Sequence, residues 1–391
     1  MRKDTKKRIV YIQYTNPTCY PPLERSSRIL ASDGWEVVFL ATKAFAANNI
    51  SFSYHPGIRI EYMSFCKPGP WQKFHYMKYW LWVLTKALLL RPEYIYASDI
   101  WSCPIAVSLS FMFKTKIIYH EHDSPADSRE NIFQRFFLFM RKITGKRAIF
   151  CIFPNAGRMV NFMKIANRHS GCYCVWNCPG RKEVMPPKAA GTTGKITLHY
   201  HGNLSSSRFP LAAIEALASL PESVYLTVAG YETIGSTGYI NYIKQVAERL
   251  DVAKRVKFFD AMSRSPLYEL CHAADIGLLA VPADSSCINE QMLIGASNKV
   301  FDYLACGLAL LVPDDPDWRK MYIEPGYGLA CDTENALSIA SALRWFSEHP
   351  EETRNMGEKG RQKILKEWNY EEQFEPARRI IERGGDDTCS A

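Results

Sequence analysis

The sequence has few of the features that mark a membrane-spanning, secreted or dinucleotide-binding protein. The best candidate for a spanning helix, residues 71–90, contains Lys78 and Lys86, and its uninterrupted apolar run is too short to cross a bilayer. The apolar run at 9–14, which follows a basic start, is too short for a signal peptide. No Gly-x-Gly-x-x-Gly follows a strand-like run, which argues against a nicotinamide or flavin enzyme.

Metal and disulfide motifs are also lacking. The chain has twelve cysteines without the spacing of a disulfide module, so we expect free thiols in a reducing, cytoplasmic compartment. Cys172, Cys174 and Cys178 lack the second Cys-x-x-Cys pair that would complete a zinc site, which favours packed strand cysteines. Asp315 and Asp317 form an Asp-x-Asp in a proline-rich turn, where a metal role is not expected. We therefore predict no metal and no other cofactor.

What the sequence does contain is the composition of a folded, two-domain protein. Its 391 residues are 47% hydrophobic and 23% charged, which is enough for two separate cores. Strand-like and helical runs alternate through residues 9–176 and again through 196–349, which predicts an α/β protein with two doubly wound parallel sheets. The poorly hydrophobic stretch 181–194 is typical of a linker. The expected segments are an N-terminal domain at 1–185, a second domain at 195–365 and a C-terminal segment at 366–391.

The most informative stretch is Ser-Asn-Lys-Val-Phe-Asp-Tyr-Leu-Ala-Cys-Gly at 297–307, between two strand-like runs. Ser297 is expected to cap a helix that Gly307 ends. Lys299 and Asp302 lie three residues apart, so they project from neighbouring lines of its first turns. A helix N-terminus and a lysine suit a diphosphate, whereas a carboxylate suits a ribose diol. The alternative is an ordinary surface helix whose Lys and Asp are solvated.

This stretch resembles the donor-site helix of the GT-B glycosyltransferases, particularly the family-four-like group, where Ser-x-Lys-x-x-Glu-Tyr-x-Ala-x-Gly is frequent. Similar segments follow in the same order: Tyr-His-Glu-His at 119–122, Val-Trp-Asn-Cys-Pro at 175–179 and Tyr-His-Gly-Asn at 200–203. The resemblance covers most of the chain. It implies a GT-B fold, with two Rossmann-like domains facing across a cleft and a terminal segment crossing back to the first. It also implies a metal-independent glycosyltransferase that uses a nucleotide-sugar donor.

The resemblance implies further donor-binding residues. Arg208 stands where family members place a phosphate-binding Arg or Lys, and Asn298 lies beside Lys299 in the donor-site turn. The Gly202–Asn203 turn can approach the donor closely because glycine has no side chain to clash.

The stereochemistry of transfer is less well marked. Retaining family-four enzymes usually carry Glu-x7-Glu with the second acid at the position of Asp302, but Ile294 stands where the first acid is expected. Glu290 is the nearest acid and would require an altered loop. We favour retention over inversion on the resemblance as a whole.

Two catalytic candidates belong to the N-terminal half. His122 resembles the cleft histidine that contacts the donor sugar or assists the acceptor, and Asp99 resembles a residue of the loop that lines the acceptor cleft. Strand alternation places His120 on the same side as His122 and Glu121 on the other. A histidine with an ordinary pKa could take the acceptor proton, and we favour His122 over His120.

The net charge of +8 is concentrated in the N-terminal half. Residues 133–147 combine large aromatics with Arg135, Arg141, Lys142, Lys146 and Arg147, a composition that suits an anionic membrane surface. The alternative is a helix that covers the sheet and exposes a solvated basic face. We expect a saccharide or lipid-linked acceptor, peripheral contact with the inner face of the plasma membrane, and no nucleic-acid partner.

Two other functions remain compatible with these motifs. A nucleotide-sugar epimerase of the same fold would share the donor site but needs several acids and bases and no acceptor site. A catalytically silent GT-B-like scaffold is the third reading, against which Lys299, Asp302 and His122 count. Cell-surface polysaccharide biosynthesis is the process expected for the transferase.

Overall fold

The computed structural model describes residues 7–44, 52–113, 115–125, 131–189, 194–282, 285 and 287–384. These residues form two compact units. The first runs to Asn177 and resumes at Tyr370, and the second extends from Cys178 to Asn369.

The first unit is built on a parallel sheet with strand order β3-β2-β1-β4-β5-β6-β7. Its central strands are buried on both faces, which is why they are almost continuously apolar. Its elements are β1 (Arg8–Gln13), α1 (Pro21–Ser32), β2 (Glu36–Thr42), β3 (Ile58–Met63), α2 (Trp71–Leu90), β4 (Tyr94–Ser98), α3 (Asp99–Phe113), β5 (Lys116–His120), α4 (Ile132–Arg147), β6 (Phe150–Phe153), α5 (Ala156–Ala166) and β7 (Cys172–Cys174).

The second unit repeats the architecture with a parallel sheet of order β10-β9-β8-β11-β12-β13. Its elements are β8 (Ile196–Asn203), α6 (Ala212–Leu217), β9 (Val224–Tyr231), α7 (Tyr239–Arg249), β10 (Val256–Asp260), α8 (Arg264–His272), β11 (Ile276–Leu278), α9 (Ile288–Gln291), α10 (Asn298–Ala305), β12 (Ala309–Pro313), α11 (Pro316–Trp318), β13 (Gly328–Cys331), α12 (Ala336–Glu348) and α13 (Pro350–Lys366).

The last helix, α14 (Tyr370–Glu382), belongs to the first unit. It contributes Tyr370, Phe374 and Ile381 to the hydrophobic core on one face of the first sheet. The Arg378 guanidinium donates to the Asp33 carboxylate at 2.7 Å, just beyond the end of α1.

The segment expected to act as a linker is held by the second unit where the structure describes it. The Met185 amide donates to the Ala305 carbonyl at 3.0 Å, and the Lys188 ammonium donates to the Ala274 carbonyl. Glu183 accepts from Arg264 at 2.6 Å. These long-range contacts could not be read from the low hydrophobicity of the segment.

Each sheet has a point where the strand order reverses, between β1 and β4 in the first unit and between β8 and β11 in the second. Open α/β sheets bind ligands outside the carboxyl ends of the strands at such points. Most of the predicted site residues lie at these two edges. The alternating pattern of the sequence therefore predicted both sheets.

Candidate functional site

At the carboxyl edge of the second sheet, Lys299 lies directly against the end of β8. Gly202 has φ +122°, and a Cβ atom at this position would lie 2.9 Å from Lys299 Cε. The Lys299 ammonium lies 5.1 Å from the centre of the Tyr200 ring on the same strand. Only glycine combines this backbone angle with room for the lysine, so Gly202 positions Lys299 at the end of the strand.

Two cations meet at this edge. Burial and the nearby Arg208 guanidinium lower the pKa of Lys299 to about 8, although Asp302 acts in the opposite direction. Arg208 forms an ion pair with Glu290 at 3.2 Å. Among the described residues, Lys299 forms no ion pair of its own. The edge therefore carries a surplus of positive charge that an anion would relieve.

The N-terminus of α10 opens at the same place. Ser297 was predicted to cap this helix, but its side chain makes no capping hydrogen bond. The side-chain oxygens of Asn298 and of Asn203 at the end of β8 are buried, and neither has a hydrogen-bond partner within the described ranges. Helix N-termini with uncapped N–H groups attract anions, and buried amide groups without partners are rare in folded proteins.

Asp302 has a different environment from the one predicted. Its carboxylate is only 2% exposed and accepts hydrogen bonds from Arg264 at 2.9 Å and from Tyr268 at 2.5 Å. His201 Nε2 lies 3.4 Å from its other oxygen. These contacts support a structural role beneath Lys299, and the predicted ribose contact would require the carboxylate to exchange partners.

Glu290 reaches the site through a short helix rather than through Glu-x7-Glu spacing. It lies in α9, pairs with Arg208 and accepts a hydrogen bond from the Ser285 hydroxyl. The structure therefore brings Glu290 beside Arg208, one of the two cations.

In the first unit, Asp99 and His122 lie together at the ends of β4 and β5. Asp99 has φ +59°, an uncommon conformation for a residue other than glycine. Its carboxylate accepts a hydrogen bond from the His122 amide at 2.8 Å. Burial, with the charges of Asp123 and Glu121, raises the pKa of Asp99 to about 8. Asp99 thus holds the loop that carries His122 and is largely protonated near neutral pH.

The His122 ring is buried, and neither of its nitrogens has a hydrogen-bond partner among the residues that the structure describes. It packs against Tyr20, with ring centres 5.0 Å apart, and against His120 at 3.8 Å. Burial lowers the pKa of His122 to about 3. This value makes the ring a neutral hydrogen-bonding group at physiological pH and a weak base, so the geometry favours orientation of a hydroxyl over proton abstraction.

His120, the alternative candidate, has a structural partner. Its Nδ1 lies 2.6 Å from the Tyr96 hydroxyl. Glu121 points to the other side, as strand alternation predicted, where it forms a buried ion pair with Arg141 at 2.6 Å.

The Glu121–Arg141 pair corrects the prediction of a five-residue basic surface on α4. Arg141 is buried, so the exposed basic residues of the group are Arg135, Lys142, Lys146 and Arg147. Phe137 faces the core, whereas Phe139 is 61% exposed. The helix therefore combines the two alternatives, because one face covers the sheet and the other presents basic and aromatic residues to solvent.

Helix α2 extends this exposed surface. Trp71 and Phe74 are 75% and 70% exposed. Tyr76 meets Phe137 of α4 edge to face at 5.2 Å, so the two helices are neighbours. We call the solvent-exposed side chains of α2 and α4 the apolar–basic face. No helix among the described residues is long and apolar enough to span a membrane.

The sequence missed the residues that surround Asp302. Arg264 and Tyr268 come from α8, which carries no recognisable motif. His199 and His201 could have been noticed, because a His-x-His pair on a strand places both rings on one face. His199 Nε2 and His201 Nδ1 lie 3.3 Å apart in the structure.

Comparison with known proteins supports the assignment of the second unit. Residues 211–379 match the family of glycosyl transferase-like proteins. No curated protein matches the sequence.

Solved structures match nearly the whole chain. HepE from Anabaena has been solved with UDP and, separately, with UDP-glucose. The UDP complex has 15% sequence identity to this chain and a TM-score of 0.70, and the match covers 96% of this chain and 100% of the HepE chain. Sucrose-phosphate synthase from Thermosynechococcus elongatus is 14% identical, with a TM-score of 0.72. The match covers 96% of this chain and 98% of the synthase chain. WaaG, a glycosyltransferase involved in lipopolysaccharide biosynthesis, is 15% identical, with a TM-score of 0.60. The match covers 98% of this chain and 100% of the WaaG chain.

These matches confirm the fold and the resemblance predicted from the sequence. The chain has the GT-B fold of its structural neighbours, and its second unit carries the sequence features of glycosyl transferase-like proteins.

Proposed function

We propose that this GT-B protein is a metal-independent glycosyltransferase that moves a sugar from a nucleotide donor, most simply a UDP-sugar, to a saccharide or lipid-linked saccharide. The observation that carries the proposal is the convergence of Lys299 and Arg208 at the open N-terminus of α10. The donors bound by structural neighbours support the same donor class, since HepE was solved with UDP and with UDP-glucose.

The reaction explains why two cations and a helix N-terminus meet. When the bond between the anomeric carbon and the diphosphate breaks, negative charge develops on the leaving group. Lys299, Arg208 and the free N–H groups of α10 would stabilise that charge from fixed positions, which is the most effective form of electrostatic catalysis. The amide groups of Asn203 and Asn298 would supply further hydrogen bonds to the donor.

His122 and Asp99 are proposed to serve the sugar chemistry. The ring nitrogens of His122 have no partner in the described part of the chain and can hydrogen-bond a sugar hydroxyl. Asp99 would act as a positioning residue through its hydrogen bond to the His122 amide. Glu290 is proposed to contact the transferred sugar, and the family resemblance favours retention at the anomeric carbon, which NMR of the product would test.

The apolar–basic face is proposed to rest on an anionic membrane surface at the cytoplasmic side, so that the acceptor is lipid-linked and the process is cell-surface polysaccharide assembly. Exposed Trp71, Phe74 and Phe139 would enter the headgroup region beside Arg135 and Lys142. Each basic residue near such a surface contributes about 1 kcal/mol, which salt weakens. Liposome flotation tests this: recovery with anionic vesicles only is expected, whereas no recovery, or equal recovery with neutral ones, would contradict it.

The donor assignment is tested by thermal-shift measurements with a panel of nucleotides and nucleotide sugars, because a ligand that binds the native state raises Tm. A rise with UDP and UDP-sugars is expected for wild type and for the control variant Lys257→Ala, which removes an exposed lysine of the same unit. The rise should disappear in Lys299→Ala. A Tm that no nucleotide changes would contradict the proposal.

Product analysis distinguishes the transferase from the epimerase. Release of UDP that depends on added acceptor indicates transfer, whereas conversion of the donor into an epimer without acceptor indicates epimerisation. Turnover is expected to persist in EDTA, and abolition with rescue by manganese would contradict metal-independent catalysis.

A further inference from the structure

A second group of chemically reactive side chains lies inside the second unit. His199, His201 and Cys271 are all buried, and one nitrogen or sulfur atom from each lies within 4.8 Å of the corresponding atoms of the other two. His199 and His201 come from β8, and Cys271 comes from α8. The nitrogen atoms that face each other, His199 Nε2 and His201 Nδ1, are 3.3 Å apart.

That separation is the one a tetrahedral zinc site needs. Zinc–nitrogen and zinc–sulfur bonds of about 2.0–2.3 Å place neighbouring ligand atoms about 3.3–3.6 Å apart. The Cys271 sulfur lies within 4.8 Å of one nitrogen of each ring, so it would move inward to complete the third position.

The other nitrogen of each imidazole is already oriented by the protein. His199 Nδ1 lies 2.8 Å from the Thr227 hydroxyl, and His201 Nε2 faces the Asp302 carboxylate at 3.4 Å. Histidines that bind metals almost always make such a contact through the nitrogen that does not bind, which fixes the ring and its tautomer. Each ring therefore has one nitrogen held by a protein group, and the two remaining nitrogens face each other at 3.3 Å.

A fourth ligand is adjacent. The buried Cys306 thiol, at the end of α10, donates to the carbonyl of Tyr268, which lies three residues before Cys271 in α8, at 3.7 Å. Two neutral imidazoles and two thiolates match the ligand preference of zinc. Binding would release one proton from each thiol and give a site without net charge, as its buried position requires.

We propose that His199, His201, Cys271 and Cys306 bind a structural zinc ion that ties β8 to α8 and to the end of α10. The ion would be taken up as the unit folds, because the four ligands are buried in the folded protein. It would lie behind Asp302, outside the donor contacts, so the proposal does not depend on the proposed glycosyl transfer. Its consequence is a rigid support beneath Lys299.

Metal content is the primary test. Protein expressed with zinc in the medium and dialysed against EDTA is expected to retain one zinc per chain by mass spectrometry of the metal. Cys271→Ser and His199→Asn should lose it, whereas Cys331→Ser, which changes a buried thiol outside the group, should keep it. Absence of zinc from wild type, or its retention in Cys271→Ser, would overturn the proposal. Full retention in Cys306→Ser would overturn the fourth ligand.

A spectroscopic test does not require any variant to fold. Wild-type protein expressed or refolded with cobalt should show a thiolate-to-cobalt charge-transfer band and the strong visible absorption of tetrahedral cobalt. Absorption typical of octahedral cobalt with no thiolate band would overturn the proposal, because it would mean that the histidines only form a hydrogen-bonded chain with Asp302.

Discussion

The carboxyl edges of the two sheets have similar strand topology but different electrostatics, since one is neutral and the other is cationic. In the first unit, the edge presents a buried His122 with a pKa of about 3 and an Asp99 with a pKa of about 8, both neutral near pH 7. In the second unit, Lys299 and Arg208 converge, and among the described residues Arg208 alone of the two forms an ion pair, with Glu290.

The difference teaches how one architecture can be specialised for two kinds of ligand. An edge with buried, neutral groups suits the uncharged hydroxyl groups of a sugar, because a hydrogen bond to a buried neutral ring does not require an ion to be desolvated. A cationic edge at a helix N-terminus suits a diphosphate. The four predictions below test this contrast in order of decreasing expected effect.

Lys299→Ala should produce the largest loss of turnover, because it removes one of the two cations at the carboxyl edge of the second sheet. Turnover is expected to fall by about 10²–10³-fold, as it does when one fixed electrostatic contact to a developing charge is removed. Steady-state kinetics with the Lys257→Ala control measures this. Wild-type turnover in Lys299→Ala would show that the cationic edge does not bind the donor.

His122→Phe should reduce turnover by about 10–100-fold, corresponding to the loss of one or two hydrogen bonds. Donor affinity measured by calorimetry should not change, since the ring belongs to the first unit. Phenylalanine fills the same space without buried nitrogens that lack partners, so Tm is expected to stay the same or rise.

His120→Phe provides the matched comparison. It removes the hydrogen bond to Tyr96 and should lower Tm, with less effect on turnover. The reverse pattern, in which His120→Phe abolishes turnover and His122→Phe does not, would transfer the functional role to His120.

Asp302→Asn separates a structural role from a ribose contact. The asparagine amide has one acceptor oxygen in place of two, so it cannot accept all the hydrogen bonds that Arg264, Tyr268 and His201 offer to the carboxylate. The free energy of unfolding should therefore fall by about 1–3 kcal/mol. Urea denaturation and calorimetry should be compared. A weaker donor affinity with unchanged stability would instead support the ribose contact that the resemblance implies.

Asp99→Asn should have the smallest effect, and it should raise the stability of the protein instead of lowering it. The native pKa of about 8 lies above the unfolded value, so the native state retains the proton and stability falls as pH rises toward 8. Asparagine keeps the acceptor for the His122 amide and tolerates positive φ.

Thermal denaturation across this pH range measures the effect. The variant should lose that part of the pH dependence and melt at a higher temperature at neutral pH, by about 2–4 °C for each kcal/mol regained. A lower Tm at every pH would mean that Asp99 is ionised and favourably paired.

Local patterns predicted the fold and the cationic edge because each depends on neighbouring residues. Strand and helix periodicity gave both sheets, and Lys299 and Gly202 were found in short motifs at strand ends. Ser297 occupies the predicted N-cap position, but its residue type could not reveal that its hydroxyl makes no hydrogen bond to the helix.

Contacts between distant segments could not be predicted in this way. Arg141 has the spacing of a surface residue, but its partner Glu121 lies on another element and draws it into the core. The sequence suggested that the Asp302 carboxylate was available to a ligand. Arg264 and Tyr268, which donate hydrogen bonds to it, belong to a helix without a recognisable motif, so no pattern in the sequence indicated them. Burial of charge is decided by such pairs, and a sequence does not show which residues form them.

The position of α14 has a consequence for synthesis of the protein. Tyr370, Phe374 and Ile381 complete a core whose other members, such as Tyr11 and Tyr96, are made before the whole second unit. At ribosomal rates, the intervening 178–369 segment takes about 10–40 s to translate. During that interval α1 covers this face of the first sheet without α14, so the core on that face is complete only after the second unit has been made. The nascent chain therefore depends on its own last helix, or on a chaperone, to protect that face from aggregation.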